Sequence, residues 1–395
     1  MGNCLVPAGC QGGRRHGCLE STWAARGREE NRTSIAANNE KMPASPEREE
    51  SREAVGSIAE MLRLLSSGAS GAILMALGRG PLRTKGLTER VPGYAPRTIY
   101  RYAAKLAEAG VVEREEQPGV PSRVVHRLTS SRGEDLYGLL DAFARAALTR
   151  LPSGEIDAHA WASLGLLGDL WESGLVDELR CEAHSPTELA RVQNGLSYHQ
   201  ISRRANLFTA NGLLRECPER GRRRYALTEK ARRGMGLIAG LGRWRHEHVV
   251  PEGTPGIAAN ETVSVLRTAL PLVRLETQAG RCIRLSVLRG DEPYGAEGES
   301  VWARVERDGT IDSCASPSPK PDAWARGKLP GWLATILDGR RSRMQLGGDV
   351  DLAEACLAQL YEALWAGGRP AGPSLQRNGE RVRLPPAALL PRRDR

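Results

Sequence analysis

The chain has 395 residues, and its 56 Lys and Arg against 47 Asp and Glu give a formal net charge of +9. At about 100 to 200 residues per domain, this length predicts two to four domains. No uncharged apolar run reaches the roughly 18 residues that predict a transmembrane helix. The basic balance favours nucleic acid or an anionic surface as a partner.

Eight cysteines are scattered along the chain without a CxxC pair, and the N-terminus lacks the apolar core of a secretory signal. We therefore expect reduced, buried thiols in a cytoplasmic protein that has no membrane segment. The spacing of Cys4, Cys10, Cys18 and His16 fits no metal-ligand pattern, so we expect no metal site there.

Both ends of the sequence differ from its middle. Residues 1–50 are polar, Gly-rich and without hydrophobic period, and residues 367–395 are rich in Pro and Arg, so we expect both to be disordered. Met42 precedes a stretch that is typical of a bacterial N-terminus, which makes it a second candidate, beside Met1, for the first residue of the native protein.

Residues 51–150 form the first predicted domain. Apolar residues at helical spacing precede Leu65, and Gly110 follows a helix that begins at Pro96, as a C-terminal glycine does. Two strands, Val111–Glu115 and Val124–Leu128, flank a turn rich in Pro and Gly. The further helices predicted in this domain are Ala69–Leu77, Leu82–Arg90, Pro96–Ala109 and Gly133–Leu148.

Residues 156–250 repeat the same order of elements about 100 residues later, which indicates an internal duplication. Ser185 with Glu188 forms a capping-box pattern, Ser197 precedes the next helix, and Gly212 follows it. Helix, helix, helix, hairpin and helix is the order of a winged helix-turn-helix, whose third helix enters the DNA major groove. An acidic stretch separates two basic ones, residues 70–150 and 185–250.

The segment GYAPRTIYRYAAKLAEAGVVER resembles the recognition helix and following strand of winged-helix regulators of the HxlR type. The second copy, GLSYHQISRRANLFTANGLLRE, resembles the same pattern. This resemblance implies a sequence-specific DNA-binding transcription regulator. The matching positions are Arg97, Ile99, Ala103, Leu106, Gly110, Val111, Val112 and Arg114, then Leu196, Ser197, Ile201, Leu207, Gly212, Leu213, Leu214 and Arg215.

Helical spacing separates a buried from an outward face on each recognition helix. Ile99, Ala103 and Leu106 are the core positions of the first helix, and Ile201, Ala205 and Phe208 are those of the second. Arg reads guanine or binds phosphate, and Gln reads adenine. The outward candidates for DNA contact, with the wing arginines, are Arg97, Thr98, Arg101, Lys105, Arg123, Tyr198, His199, Gln200, Ser202, Arg203, Arg204, Arg222, Arg223 and Arg224.

The two predicted wings differ in charge. The second carries a cluster of arginines that repel one another unless a phosphate backbone supplies counter-charge, whereas the first carries several Glu. We therefore expect the second copy to bind DNA more strongly.

Residues 260–366 change character and predict a small α+β domain. The stretch from Trp324 to Leu364, with its DGR and GGD passages, resembles the C-terminal part of sterol-carrier-protein-like domains. That resemblance implies helices that cover a small sheet and roof an apolar cavity. An apolar small-molecule effector would fit such a cavity, although no residue identifies it.

We thus predict a multidomain α+β fold, with two winged helix-turn-helix domains followed by a small α+β domain whose sheet is covered by helices. The predicted partner is double-stranded DNA, bound by a monomer with two DNA modules or by a homodimer. No GxSxG, phosphate-binding or HExxH motif is present, so we expect neither enzymatic activity nor a cofactor. The alternatives are a winged-helix scaffold for protein interactions and a lipid or small-molecule carrier that does not bind DNA.

Overall fold

A computed structural model describes residues 57–117, 123–148, 156, 158–193, 196–218, 222–251, 254–289 and 298–365, with the backbone of 375–377 and 380–382. The prediction for residues 1–50 lies outside these ranges. In the tail, Leu375–Arg377 and Glu380–Val382 pair as antiparallel strands, and the prediction of disorder for the rest of 367–395 lies outside the described ranges. Asn378 and Gly379 stand between them in the sequence, a strong signal for a two-residue hairpin turn.

The first segment contains five helices and a three-stranded sheet in the order β1-β3-β2. Gly110 follows α4 with φ +67°, as predicted from its position. The stretch predicted as one helix from Leu82 begins instead with a short strand, because Leu82 pairs with His126. The elements are α1 (Ile58–Leu65), α2 (Ala69–Leu77), β1 (Leu82–Arg83), α3 (Thr84–Arg90), α4 (Pro96–Glu108), β2 (Val112–Gln117), β3 (Arg123–Leu128) and α5 (Arg132–Ala147).

The second segment repeats this order of helices and hairpin. His184 forms a bridge to Tyr225, at the place in the chain where β1 pairs with β3 in the first segment. Gly174 separates α6 from α7, because an α-helix cannot include its φ of +69°. The elements are α6 (Ala158–Glu172), α7 (Leu175–Leu179), α8 (Pro186–Val192), α9 (Tyr198–Ala210), β4 (Leu214–Glu216), β5 (Tyr225–Leu227) and α10 (Glu229–His248).

The third segment places helices against a five-stranded sheet of order β10-β9-β6-β7-β8, in which β6 and β9 are parallel. Trp332 and Trp365 are fully buried, and their indole N–H groups donate to the carbonyls of Ser286 and Ile336. The elements are α11 (Ala259–Ala269), a 3-10 turn (Leu270–Leu272), β6 (Cys282–Leu288), β7 (Glu299–Val305), β8 (Ile311–Asp312), β9 (Ala323–Lys328), α12 (Leu329–Asp338), β10 (Gln345–Gly348) and α13 (Val350–Trp365).

Equivalent helices of the first two segments pack against each other. α1 lies on α6, where Arg63 forms ion pairs with Asp169 and Glu172. α5 lies on α10, where His248 Nε2 is 2.9 Å from Asp135 Oδ2. The two segments therefore meet as like elements on like elements, which is the arrangement of a two-fold dimer interface.

Helix α10 also supports the third segment, because it contacts α11, α12 and α13 as well as α5. Glycines on different faces of α10 allow side chains of the neighbouring elements to approach its backbone closely. A Cβ added to Gly240 would lie 2.3 Å from Leu139, and one added to Gly242 would lie 2.6 Å from the Cβ of Ile257. Apolar residues of all three segments consequently form one continuous core.

Gly242→Ala is expected to lower the free energy of unfolding, because the new methyl overlaps a backbone-proximal atom of Ile257. Overpacking typically costs about 1 to 3 kcal/mol, more than the ~1 kcal/mol that Ala contributes to helix propensity. Thermal unfolding of the full chain measures the change. Gly86→Ala is the matched control, because its nearest neighbour would be 3.8 Å away; it should leave stability unchanged or raise it. A Gly242→Ala protein as stable as the parent would contradict the close packing of α10.

The prediction that all cysteines are reduced thiols is wrong for one pair. Cys181, after α7, forms a disulfide with Cys314, after β8, with their Cα atoms 5.9 Å apart. Their separation of 133 residues leaves no spacing signal in the sequence. Cys282 and Cys356 are free and buried, as expected, and burial raises the pKa of the Cys356 thiol to about 12.

Proteolytic digestion without reductant should yield one mass that joins the peptides of Cys181 and Cys314. Replacing both residues by Ser should lower the free energy of unfolding by about 2 to 4 kcal/mol, because the unfolded chain regains the freedom of a long loop. Cys217→Ser, which removes a free thiol, is the control. Recovery of the two peptides as separate thiols from protein kept without reductant would refute the bond.

Candidate nucleic-acid interface

Helix α4 presents a cationic face opposite the core. Pro96 occupies its first turn, and Ile99, Ala103 and Leu106 are buried, as predicted. Arg97, Arg101 and Lys105 are exposed. Within the described ranges these three cations form no ion pair, so their charge remains directed to solvent or to a ligand.

The Tyr102 ring lies beside two of these cations. The guanidinium of Arg101 is 4.9 Å and the ammonium of Lys105 is 5.4 Å from its centroid, and both are cation–π contacts. Thr98 is half-buried at the edge of this face. Tyr100 is 47% exposed beside Arg101, which adds an aromatic side chain to the outward face of the first turns of α4.

The first wing neutralises most of its own charge. Arg127 pairs with Glu113 at 3.0 Å and with Glu115 at 3.7 Å, and Arg114 pairs with Glu116 at 3.3 Å. The hydrogen bond from Arg127 lowers the pKa of the Glu113 carboxyl. Arg123, at the start of β3, is exposed and forms no ion pair with any described residue, which leaves it as this wing's available cation.

The N-terminus of α9 is closed by a capping box. Gln200 N donates to Ser197 Oγ at 3.3 Å, and Ser197 N donates to Gln200 Oε1 at 2.8 Å. Bidentate reading of adenine needs both the oxygen and the amide N–H of a Gln side chain. Reading of adenine by Gln200 stays a prediction, and it requires the capping hydrogen bond to open because the same oxygen holds the helix end in this conformation.

The rest of the outward face of α9 is exposed. Ile201, Ala205 and Phe208 are buried as predicted, which turns Arg203 and Arg204 outward; in the described part of the chain neither forms an ion pair. Tyr198 is 49% exposed, and the His199 ring meets it edge-on at 5.6 Å. Ser202 is half-buried.

The second wing separates its arginines into two roles. Arg222 and Arg223 are exposed, and Arg223 Nε is 3.5 Å from Glu216. A hydrogen bond with Tyr225, followed by the charge of Glu216, raises the pKa of Arg223. The tip at residues 219–221 lies outside the described ranges.

Arg224 was predicted to contact DNA, but its side chain turns inward. Its Nε donates to Ala183 O at 2.9 Å, and its Nη2 is 3.1 Å from Glu188 Oε2. Arg224 therefore ties the hairpin to α8, and its predicted contact with DNA stays a prediction in which the phosphate would compete with this carboxylate for the guanidinium.

One set of side chains could ligate a cation. Asp135, Glu247 and His248 bring a ligand atom each to within 4.8 Å of one another. Because the Asp135–His248 pair also joins α5 to α10, its first role is to hold the two segments together.

The helices α2, α3 and α4 followed by a two-stranded wing, with an exposed cationic face on α4, have the arrangement of a winged helix-turn-helix. Residues 64–152 match the family model described as HxlR-like helix-turn-helix, and this range contains α2 to α5 with the hairpin between them. The match shows an HxlR-like helix-turn-helix in this segment and supports a transcription regulator that binds double-stranded DNA. No curated protein matches the chain.

In the described part of the chain, no single helix is long and apolar enough to cross a membrane. α1 and α2 meet that test of length and composition only as a pair, bent by 84°.

Arg222→Ala combined with Arg223→Ala should weaken binding to all DNA sequences alike and flatten its salt dependence. For every phosphate that the protein no longer neutralises, the slope of log affinity against log salt falls by roughly 0.9. Fluorescence anisotropy with labelled duplexes at several salt concentrations measures both effects. Arg307→Ala, an exposed arginine of the third segment, is the control. An unchanged slope in the double variant would remove this wing from the interface.

Proposed function

We propose that this protein is a sequence-specific transcription regulator in which two winged-helix modules of one chain take the places of the two subunits of a dimer. The observation that carries the proposal is the packing of like on like, α1 on α6 and α5 on α10. A two-fold arrangement of this kind relates α4 to α9, just as the two recognition helices of a dimeric regulator are related.

Further support comes from the second segment itself. It has the helix, hairpin and helix order of the matched segment. The bridge between His184 and Tyr225 corresponds to the pairing of β1 with β3 in the first segment. The helix before its hairpin, α9, buries one face and exposes Arg203 and Arg204 on the other. These are the features that the first segment shares with DNA-binding helix-turn-helix domains.

The target site follows from the difference between the two reading helices. α4 offers Arg97 and Arg101, whereas α9 offers Arg203 and Arg204 behind an aromatic pair. We therefore propose two unlike half-sites, about one helical turn of DNA apart, in place of a palindrome. The protein acts on them as a monomer, and the third segment, held on α10, is its effector domain.

Selection of bound duplexes from a random pool, followed by footprinting, tests this proposal. Arg97→Ala with Arg101→Ala should relax specificity in one half-site, and Arg203→Ala with Arg204→Ala in the other, at about 1 to 3 kcal/mol for each base that is no longer read. Sedimentation of the complex should give one chain per duplex.

Two results would contradict the proposal. One is a palindromic site occupied by two chains; the other is that both pairs of substitutions affect the same bases. Circular dichroism of each variant checks that it is folded. All four arginines are exposed, so their removal should leave the fold intact.

A further inference from the structure

A cleft of about 470 Å³ lies between the second wing and the third segment. This volume falls in the range of small-molecule sites. Its walls come from the end of α7, from β4 and β5, from the first turn of α10 and from the chain after α11. The residues that line it are Leu179, Cys181, Glu182, Ala183, Arg215, Cys217, Ala226, Leu227, Glu229, Arg232, Pro271, Leu272 and Arg274.

Three guanidinium groups share this cleft, those of Arg215, Arg232 and Arg274. Arg232 donates to the carbonyls of Thr268 at 2.9 Å and Arg180 at 3.0 Å, which accounts for two of the five N–H groups of a guanidinium. Burial, followed by the charge of Arg215, lowers the pKa of Arg232 to about 10. Like charges in a partly desolvated space repel, and a bound anion would relieve that repulsion.

The carboxylates near the cleft have other partners. Glu229 pairs with Arg233 at 2.5 Å, and Glu182 lies 3.7 Å from the imidazole of His184. Among the described residues, none of the three cleft arginines forms an ion pair. Hydrogen bonds from Thr310 lower the pKa of Asp308, and Arg274 adds to this only through space.

We propose that this cleft binds a small organic anion, a molecule with a carboxylate or phosphate group and a compact apolar body. Arginine recognises both oxyanions through paired N–H···O bonds. Leu179 and Leu227 are buried in the wall, and Pro271 and Leu272 add apolar surface for the body of the ligand. The disulfide of Cys181 with Cys314 joins the second segment to the third at the border of the cleft.

Occupation of the cleft acts on the second wing. Arg215 lies on β4 opposite Ala226 on β5, and both line the cleft. The exposed Arg222 and Arg223 precede β5 in the same hairpin. An anion that draws Arg215 into the cleft therefore changes the position of a hairpin that contacts DNA; this coupling rests on the proposed function, whereas binding of the anion does not.

Calorimetric titration of the full chain with three matched probes tests the site. Benzoate carries a carboxylate, phenyl phosphate a phosphate, and benzamide has nearly the shape of benzoate without its charge. We expect at least one of the two anions to bind in the millimolar to micromolar range, with benzamide at least tenfold weaker. The stronger anion identifies the carboxylate or the phosphate as the recognised group.

Arg274 and Arg215 are both exposed. Arg274→Ala and Arg215→Ala should each lower the affinity for the anion at least tenfold, and Arg307→Ala should leave it unchanged. Arg232 is left unchanged because its carbonyl contacts support the fold. Equal binding of benzamide and benzoate, no binding of either anion at millimolar concentration, or full affinity in both variants would each overturn the proposal.

Anisotropy with labelled duplex then tests the coupling. A saturating anion should change the DNA affinity of the parent several-fold and leave that of Arg215→Ala unchanged. A protein that binds the anion but no DNA would refute the proposed function and retain the site. A protein that binds DNA but neither anion would refute the site alone, and an anion that leaves the parent's DNA affinity unaltered would refute the coupling.

Discussion

Close packing around α10 is the constraint on which the rest of the structure depends. Four glycines on this helix face four different neighbours, Leu167 of α6, Trp365 of α13, Leu139 of α5 and Ile257 before α11. Each glycine costs about 1 kcal/mol of helix propensity relative to Ala. The packing of large side chains from all three segments onto one backbone offsets that cost. α10 follows directly from the second wing and contacts the helices of the third segment. A shift of the hairpin and a shift of the third segment would therefore both act on this helix.

Local patterns made much of the candidate interface predictable from the sequence. The buried stripes of α4 and α9, the capping box at Ser185 and the positive φ of Gly110 all depend on residues within a few positions of one another. The exposure of Arg97 and Arg203 was predictable for the same reason, because each lies opposite the buried stripe of its own helix. Side-chain direction on a helix is set by its period, so the sequence alone identifies the outward cations.

The features that the sequence did not predict depend on distant partners. Arg224 turns inward because Glu188 lies within reach of its guanidinium only after α8 has folded beside the hairpin. The Cys181–Cys314 bond and the cleft beside it join segments that are far apart in sequence. Gln200 is a different case, because its capping role was readable from Ser197 three positions earlier, and a cap and a base reader compete for the same oxygen.

If both helices read DNA as proposed, their presence in a single chain has a consequence for dosage. When two separate subunits must first associate, the amount of binding-competent regulator falls with the square of its concentration once it is scarce. Here α1 on α6 and α5 on α10 join the two halves within one molecule, so dilution cannot separate them. In the proposed function, occupancy of the operator then falls only in proportion to the number of molecules, and a cell that keeps few copies retains control.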